Sequence, residues 1–591
     1  MIHANRSIAL IVSLVALVGC STPQGATVKE AIAPEAATGS RTLAAVHAPT
    51  AMVGAANPHA SRAGLAMLQR GGSAVDAAIA MAMVLTLVEP QSSGIGGGAF
   101  LLHFDPAGEG LETYDGRETA PAAATPDMFL APDGTARDFM TTYVGGLSVG
   151  VPGLLRILEL AHAEHGKLPW AVLFEPAIAL ARSGFEMSPR LFSLLEADPS
   201  LREFEAAGGY FYRPDGTPLA VGTVIKNPAL ADTLELIARD GARALYEGAI
   251  AADIVDAVQH APRNPGRLTV EDLARYRAVK RAPVCGPYRQ VTVCGMAPPT
   301  SGGVTLLQIL GILDRFDVTA TGGGSPAFAH LFAEAGRLAY ADRARFLGDP
   351  GFTEVPVEGL LAPAYLAERA ALIDPHKSMG VASAGQPAQA HGLRLGDDRS
   401  PELPSTSHLV AADAEGRVVS MTASIEMGFG SHLMVRGFLL NNQLTDFSFT
   451  PEEGGLPVAN RVEPLKRPRS SMAPTIVLDR EGRSFVMAIG SPGGSRIIPY
   501  VARAIVDVVD FDMDLQAAIA QPNIANRNGA TELEAVAGQE PSTEALAEAL
   551  RALGHEVTIG DQNSGLHGIR RVDAGYEGGA DPRREGLILG Y

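Results

Sequence analysis

Thr406 stands where a loop rich in Gly, Ala, Pro, Ser and Asp gives way to a predicted strand that starts at His408. If the bond between Ser405 and Thr406 were cut, Thr406 would carry a hydroxyl and a free α-amine on one residue. A hydroxyl is a poor nucleophile at neutral pH unless a base lies within hydrogen-bonding reach, and an α-amine, whose ordinary pKa is about 8, can be that base. Taken alone, Ser-Thr-Ser-His is also what an ordinary strand start looks like. The neighbouring motifs must decide between these two interpretations.

The cysteine and histidine residues show no metal-binding pattern. The sequence contains no Cys/His cluster with zinc spacing and no HExxH motif, so we expect no metal and no cofactor. The glycine-rich run 94–98 lacks a following Lys-Ser/Thr and precedes a strand, which argues against a phosphate loop; its glycines indicate close backbone approach or positive φ angles. Cys285 and Cys294 are separated by eight residues, a spacing compatible with a hairpin disulfide and equally with two reduced, buried thiols.

Predicted hairpins position Thr406 and the glycines that follow it in the chain. The alternation of apolar residues predicts one hairpin over 408–413 and 417–425 and another over 475–478 and 484–489. A helix over 495–508 begins directly after Gly493-Gly494. Further strands are predicted over 99–104 and 291–295, and further helices over 57–69, 77–88, 154–165, 171–183, 230–240 and 329–347.

This order of elements predicts the fold class. Strands followed by helices in both parts of the chain indicate two packed sheets covered by helices, an α+β sandwich. The apolar helix 77–88 follows a capping-box pattern, Ser73 to Asp76, and is predicted to be a buried core helix because it is too short to span a membrane. The segment 374–404 lacks apolar periodicity and is predicted to be an exposed linker. Cleavage of the backbone at its end would therefore destabilise the fold only slightly.

The composition excludes several classes of protein. The chain has 591 residues, 46% of them hydrophobic, which is enough for a large globular core. Its formal net charge of -18 and lack of a basic face argue against nucleic-acid binding. A small zwitterionic or anionic substrate would therefore be caught by a few placed cations.

The first residues predict an export signal. A short basic region ending at Arg6 precedes a hydrophobic stretch, 7–18, that is too brief to span a bilayer. The signal ends at Leu17-Val-Gly-Cys20, which resembles the bacterial lipobox, where the cysteine receives lipid and becomes the first mature residue; a plain secretory signal is the alternative. We expect a signal peptide over 1–20, a flexible tether over 21–44, and a periplasmic lipoprotein that is held to the membrane by its lipid anchor only.

A set of motifs in fixed order resembles the γ-glutamyltransferase (glutathione hydrolase) family over residues 45–591. In the second part of the chain the resemblance is carried by Pro404-Ser-Thr-Ser-His408, Phe438-Leu-Leu-Asn-Asn-Gln-Leu-Thr-Asp-Phe447, Lys466-Arg-Pro-Arg-Ser-Ser-Met472, Gly490-Ser-Pro-Gly-Gly-Ser495, Ala580-Asp-Pro-Arg583 and Gly590-Tyr591. In the first part it is carried by Pro58-His-Ala60, Gly94-Ile-Gly-Gly-Gly98, Asp115-Gly-Arg-Glu-Thr-Ala-Pro121 and Pro298-Pro-Thr-Ser-Gly-Gly303. The resemblance implies a four-layered αββα amino-terminal-nucleophile hydrolase. It also implies self-cleavage into a large subunit, 45–405, and a small subunit, 406–591, which stay together as one catalytic domain.

The resemblance also assigns roles to individual residues. Thr406 is implied to be the nucleophile of both self-cleavage and catalysis, with Ser424 as its hydrogen-bonding partner. Gly493 and Gly494 are implied to form the oxyanion hole, and backbone N–H groups at a helix start suit that role. The remaining implied residues bind the glutamyl group: Arg117, Ser470 and Ser471 hold the α-carboxylate, Arg117 by a bidentate contact, while Glu426, Gln443 and Asp446 hold the α-amine.

The implied reaction cleaves γ-glutamyl amides such as glutathione and transfers the acyl group to water, amino acids or peptides. Two features depart from the family: Glu426 stands where many members carry Asn, and residues 448–465 lack the tyrosine of some relatives' lid. Two carboxylates around one amine could raise the pKa of one of them, and a more open site would admit bulkier donors. Glutaryl or cephalosporin acylases and poly-γ-glutamate hydrolases on the same fold are alternatives, as is a non-catalytic lipoprotein that binds γ-glutamyl peptides.

Overall fold

The computed structural model describes residues 41–591 apart from Glu109 and Pro404. The predicted signal peptide, Cys20 and most of the predicted tether lie outside the described residues. Arg41, near the end of that tether, donates its backbone N–H to the carbonyl of Pro582 and a side-chain hydrogen bond to the carbonyl of Gly586 at 3.0 Å. The last residues before the first strand therefore contact the globular domain.

The strands form two large sheets and several small ones. In chain order they are β1 (Val46–Ala48), β2 (Met52–Ala55), β3 (Gly98–Asp105), β4 (Gly110–Gly116), β5 (Phe185–Glu186), β6 (Val224–Ile225), β7 (Val279–Arg281), β8 (Val284–Tyr288), β9 (Val291–Gly295), β10 (Ser407–Ala412), β11 (Val418–Ser424), β12 (Met434–Val435), β13 (Phe438–Leu439), β14 (Glu452–Glu453), β15 (Leu456–Pro457), β16 (Thr475–Asp479), β17 (Phe485–Gly490), β18 (Ile524–Asn526), β19 (Thr531–Glu534), β20 (Val557–Gly560), β21 (His567–Val572), β22 (Gly575–Ala580) and β23 (Leu587–Gly590).

Each large sheet has seven antiparallel strands. The first sheet has the order β23-β2-β10-β11-β3-β4-β7, and the second has the order β1-β22-β21-β17-β16-β9-β8. The two sheets contact each other through β2, β10 and β11 on one side and β17, β21 and β22 on the other. Both sheets contain strands from before and from after Thr406.

Helices cover the outer face of each sheet. They are α1 (Pro58–Gln69), α2 (Ala74–Val88), α3 (Phe139–Thr142), α4 (Leu154–His165), α5 (Glu175–Ser183), α6 (Pro189–Ala197), α7 (Glu205–Phe211), α8 (Pro228–Asp240), α9 (Arg243–Tyr246), α10 (Ala249–Gln259), α11 (Val270–Arg275), α12 (Gly302–Leu313), α13 (Pro326–Phe346), α14 (Val357–Leu361), α15 (Pro363–Ala370), α16 (Ile497–Val509), α17 (Leu515–Ala520) and α18 (Glu540–Ala552). Helices α2 and α4 pack on the first sheet, and α12, α16 and α17 pack on the second. The result is the predicted four-layered αββα sandwich.

The predicted core helix shows why these elements form where they do. The Ser73 side chain accepts from the Asp76 backbone N–H at 3.2 Å, and the Asp76 side chain accepts from the Ser73 N–H at 2.8 Å, so both halves of the capping box are present. Every residue of α2 is buried, in agreement with its apolar composition. Within the described part of the chain, no helix combines the length and the apolar character needed to cross a bilayer.

The predicted hairpins are confirmed, with small shifts of their ends. The structure pairs β10 with β11 and β16 with β17 in antiparallel register. The helix predicted over 495–508 begins as a 3-10 turn, Gly494–Arg496, and continues as α16, while the helix predicted over 171–183 divides into a 3-10 segment, Trp170–Phe174, and α5. Cys285 and Cys294, which face each other on β8 and β9, form a disulfide, and this settles the alternative that their spacing left open.

The prediction that residues 374–404 form an exposed linker is wrong at its end. The described residues between α15 and β10 lack helix and strand, as predicted. However, Asp398 is only 8% exposed and Leu403 only 4%. The prediction failed because it rested on the low apolar content of the segment, whereas Glu402 is held by distant arginines that local composition cannot reveal.

Candidate active site

Thr406 and Ser424 meet at one end of the first sheet. Thr406 directly precedes β10 and Ser424 ends the neighbouring strand β11, where Ser407 pairs with Ala423. The Thr406 hydroxyl donates to Ser424 Oγ at 3.3 Å, and both residues are buried. Thr406 has a φ angle of +138°, a conformation that β-branched residues rarely adopt. The uncleaved chain thus holds backbone strain at the residue that follows the predicted cleavage bond.

The glycine run 94–98 lets the backbone approach Ser424 closely. A Cβ atom on Gly97 would collide with the carbonyl oxygen of Ser424, and one on Gly96 would collide with the carbonyl oxygen of Leu439. Only glycine leaves room for these approaches. The prediction of close backbone contact is therefore confirmed, and the run fixes the strand end that carries Ser424.

Gly493 and Gly494 form the turn between β17 and the helix α16. Their φ angles are +137° and +55°, in the region that favours glycine, and a Cβ on Gly493 would lie 2.8 Å from a ring carbon of Tyr500. Gly494 lines the same cavity as Thr406. The start of a helix carries unpaired backbone N–H groups and a positive dipole end, which favour developing negative charge.

A charged cluster lines the opposite side of this cavity. Arg117 is fully buried and donates from Nη2 to the Asp446 carboxylate and, at 2.8 Å, to the Arg469 carbonyl. The Arg117 Nε donates to the Pro468 carbonyl at 3.1 Å, and Nη1 has no hydrogen-bond partner among the described residues. In the uncleaved chain two of the three guanidinium nitrogens of Arg117 are therefore already hydrogen-bonded, and the third is buried.

Asp446 and Glu426 lie side by side around Gln443. The Gln443 amide donates to Glu426 Oε2 at 2.8 Å and to Asp446 Oδ2 at 3.1 Å. Burial and the negative charge of Asp446 raise the pKa of Glu426 well above its ordinary value, against the opposing effect of Arg117. This agrees with the expectation that two carboxylates at this position would raise the pKa of one of them.

Glu118 is a second buried carboxyl group next to this cluster. Both of its oxygens are buried without a hydrogen-bond partner in the described part of the chain, and Arg117 Nη1 lies 3.7 Å from Oε2. Burial raises the pKa of Glu118 to about 8, although the charge of Arg117 acts in the opposite direction.

Ser470 and Ser471 lie in a loop that the motif 298–303 holds in place. Ser470 exchanges backbone hydrogen bonds with this motif, donating to the Pro299 carbonyl at 3.2 Å and accepting from the Ser301 N–H at 2.8 Å. The Ser471 hydroxyl donates to the Glu402 carboxylate at 2.8 Å and accepts from Arg343 at 2.6 Å. Ser470 and Ser471 both line the cavity.

The structure brings nearly all of the predicted site residues to one cavity. Its lining includes Arg117, Thr406, Ser424, Glu426, Gln443, Asp446, Ser470, Ser471 and Gly494, while Gly493 adjoins it through the chain. Sequence reasoning missed Glu402, which also lines the cavity, and the two arginines that hold it, Arg343 and Arg469. Arg469 stands within a recognised motif, but nothing in local sequence pointed to Arg343 or Glu402.

Two His–Glu–His groups lie elsewhere among the described residues. They consist of His330, Glu334 and His555, and of His103, Glu112 and His165. In the first, His330 Nδ1 and His555 Nε2 are 2.7 Å apart and Arg337 pairs with Glu334, so the donor atoms already engage one another. In the second, the two imidazole rings stack with centroids 3.8 Å apart. Neither group lines the Thr406 cavity.

Comparisons with known proteins give consistent results. A family model described as Gamma-glutamyltranspeptidase matches residues 60–591. The chain is 36% identical over 551 residues to a glutathione hydrolase proenzyme of Bacillus subtilis, with 91% of each chain covered. It is 37% identical over 513 residues to an acylase proenzyme of Pseudomonas sp. strain SE83, with 86% of this chain and 87% of the relative covered. The solved structure of a cephalosporin acylase from Bacillus halodurans has a TM-score of 0.81 and 27% identity, and the match covers 94% of this chain and 98% of that one.

Proposed function

This chain belongs to the γ-glutamyltranspeptidase family, and from that premise we propose that it is a self-cleaving γ-glutamyltransferase with glutathione hydrolase activity. The observation that carries the proposal is the meeting of Thr406 and Ser424 in a cavity that also holds Arg117 and Asp446. A hydroxyl nucleophile beside a cation and an anion suits an amide substrate that has a free amino-acid end.

In the first proposed step the chain cuts itself. The Thr406 Oγ attacks the Ser405 carbonyl carbon, the C–N bond breaks, and the hydroxyl proton passes to the departing nitrogen, which becomes the α-amine of Thr406. Water then opens the resulting ester, giving a Ser405 carboxylate and restoring the hydroxyl. The positive φ angle of Thr406 supports this step, because an amino-terminal residue has no preceding peptide group to impose that strain.

In the second proposed step the same hydroxyl acts on the substrate. The Thr406 Oγ attacks the γ-amide carbonyl carbon while the new α-amine takes the hydroxyl proton and delivers it to the leaving amine. The backbone N–H groups of Gly493 and Gly494 would stabilise the tetrahedral oxyanion. Water or the amine of an amino acid or peptide then attacks the γ-glutamyl ester on Thr406, the ester C–O bond breaks, and the Thr406 hydroxyl regains its proton.

A denaturing gel of the purified protein tests the self-cleavage. We expect the wild-type chain to yield two bands and the Thr406→Ala chain to yield one. Thr450→Ala, which changes a partly exposed threonine four residues beyond Asp446, is the matched control and should still yield two bands. A soluble, folded wild-type chain that stays uncut would contradict the proposal.

Three substrates then identify the reaction. We expect the processed protein to release cysteinylglycine from glutathione and aniline from a γ-glutamyl anilide, with glycylglycine accelerating the second reaction if transfer competes with hydrolysis. A glutaryl anilide differs from the γ-glutamyl compound only by the missing α-amine. Turnover of the glutaryl compound without turnover of either γ-glutamyl donor would assign the protein to the acylases, an activity that the acylase relatives and the tyrosine-free segment 448–465 keep open.

We also propose that the protein is exported and anchored by lipid at Cys20 in the periplasm. The signal-like first residues and the lipobox-like sequence before Cys20 support this, and the disulfide between Cys285 and Cys294 suits an oxidising compartment. Labelling with a fatty-acid analogue should mark the wild-type protein and not Cys20→Ala, and that variant should leave the membrane fraction. Wild-type protein that is found unlabelled in the cytoplasm would contradict the proposal.

A further inference from the structure

Glu402 lines the cavity in the uncleaved chain. Glu402 stands three residues before the predicted large-subunit end at Ser405, and its side chain is 14% exposed. Arg343 holds it through two hydrogen bonds of 2.7 Å, one to each carboxylate oxygen, and Arg469 donates to it at 2.9 Å. Burial acts to raise the pKa of Glu402, but the charges of Arg343 and Arg469 outweigh it and hold that pKa well below its ordinary range.

Glu402 shares a hydroxyl with the predicted substrate site. Ser471, which the family resemblance assigns to the donor's α-carboxylate, donates to Glu402 Oε2 at 2.8 Å. The Arg343 Nη2 group lies 2.6 Å from the same hydroxyl oxygen. A carboxylate that is bound by Ser471 therefore lies within reach of Arg343.

Departure of Glu402 would leave the arginines short of negative charge. Arg343 is 6% exposed and Arg469 3% exposed, so neither guanidinium is well solvated. Asp398 stays within 3.1 Å of Arg469, but the other close partners of the Arg343 guanidinium are the neutral hydroxyls of Ser301 and Ser471. Buried cations without a counterion are costly, and a carboxylate that binds two guanidinium groups restores the balance.

We propose that Glu402 occupies the donor's α-carboxylate position before cleavage, and that Arg343 and Arg469 bind that carboxylate in the mature enzyme. This inference rests on the proposed function, because Glu402 must withdraw with the large-subunit tail before a donor can reach Thr406. Arg343 and Arg469 act together with Arg117, which lines the same cavity. The preferred donors are amides whose acyl group ends in a carboxylate, which includes both γ-glutamyl and glutaryl compounds.

Comparing donors with and without the carboxylate tests this role. The γ-aminobutyryl anilide is the γ-glutamyl anilide without its α-carboxylate. We expect Arg343→Gln to lower kcat/KM for the γ-glutamyl and glutaryl anilides by about 10- to 100-fold, the worth of a charged hydrogen bond, and to change that for the γ-aminobutyryl anilide less than about twofold. Arg343→Lys should restore part of the loss.

Arg345→Gln is the matched control. Arg345 lies two residues along the same helix, pairs with Asp397 at 2.6 Å and is 30% exposed outside the cavity. It should leave all three donors unaffected. Equal losses on all donors, or no loss on any, would overturn the inference.

Two further variants keep the inference testable if the Arg343→Gln chain does not cleave itself. Arg343→Gln leaves Glu402 short of a partner, so the double variant Arg343→Gln/Glu402→Gln removes both charges, and Arg469→Gln gives an independent comparison. Failure of all these variants to self-cleave, beside a wild-type chain that does, would assign the arginines to folding of the precursor and overturn the inference. A wild-type chain that neither cleaves nor turns over the γ-glutamyl anilide would instead contradict the proposed function.

Discussion

At the scale of single residues, the hydrogen bond between Thr406 and Ser424 is the contact closest to the proposed chemistry. We expect Ser424→Ala to slow both self-cleavage and kcat about tenfold, because an uncharged hydrogen bond contributes about 1 kcal/mol or slightly more. Time courses on denaturing gels and anilide kinetics would measure the two effects. Ser420→Ala is the matched control, since Ser420 is a buried serine on the same strand that bonds to the Ile489 carbonyl instead. Identical rates for all three proteins would show that Ser424 has only a structural role.

Glu118 makes the stability of the fold depend on pH. Its pKa of about 8 in the folded chain lies above the ordinary value of 4.5, so the folded state keeps a proton that the unfolded state releases. The stability that this provides is complete below pH 4.5 and is lost as the pH rises through 8. The loss amounts to up to about 5 kcal/mol. We therefore expect uncleaved Thr406→Ala protein to lose more stability between pH 5 and pH 8.5 than the same protein with Glu118→Gln.

Urea unfolding at the two pH values would measure this difference. The exposed Glu247→Gln serves as the control and should follow the parent protein. A parent chain and a Glu118→Gln chain with the same pH dependence would show that Glu118 is already ionised in the folded state.

Residues whose roles depend on local motifs were the ones that the sequence could predict. Thr406, Asp446 and Ser471 each stand in a recognisable run, and the cavity contains all three. Glu402 could not be found, because its significance comes from Arg343, which is 59 residues away in sequence, and from Arg469 on another loop. Charge pairing over such separations leaves no periodic trace in the sequence.

At the scale of elements, the turn between β17 and α16 requires glycine at Gly493, because of its positive φ angle and its close contact with Tyr500. We expect Gly493→Ala to lower kcat by at least about 100-fold, the usual loss when an oxyanion donor is displaced. It should also destabilise the chain by about 1–3 kcal/mol through backbone strain and the contact with Tyr500. Gly529→Ala, where a Cβ would meet nothing within 4 Å, should change neither kcat nor the urea midpoint. A Gly493→Ala enzyme with normal kcat would exclude this turn from the oxyanion site.

Hairpins and capped helices were predictable because their signals are local. The alternation of apolar residues located β10 with β11 and β16 with β17, and the capping box located α2. The 3-10 turn before α16 was missed, since φ angles of +137° and +55° at consecutive glycines cannot be read from helical periodicity.

At the scale of the whole molecule, both sheets are built from strands of the two predicted subunits. In the first sheet β10 and β11 lie between β2 and β3, and in the second β16, β17, β21 and β22 lie between β9 and β1. We expect the two fragments to elute together in size-exclusion chromatography after cleavage and to separate only in denaturant, because parting them would break strand pairs in both cores. Residues 406–591 expressed alone should not give a soluble, folded protein. Two separate native peaks would contradict the predicted assembly.

This interleaving could not have been derived from local patterns. The sequence predicted two covered sheets, but the pairing of β2 with both β10 and β23 joins segments that are hundreds of residues apart. Every antiparallel order satisfies the same alternation, so strand order is decided by packing of the complete chain.

Because the strands of the two fragments are interleaved, the cleaved protein cannot refold by the route that the uncleaved chain followed. A single chain can thread β10 between β2 and β11 while all the segments are tethered, but after the bond before Thr406 is cut, refolding becomes an encounter of two separate polypeptides. After denaturation, each fragment of the mature protein would aggregate before it could re-associate with the other fragment. The lifetime of the native mature protein is therefore set by its rate of unfolding and not by an unfolding equilibrium. The apparent melting temperature of the mature protein would then rise with the heating rate. The uncleaved precursor could still refold to the native structure after heating.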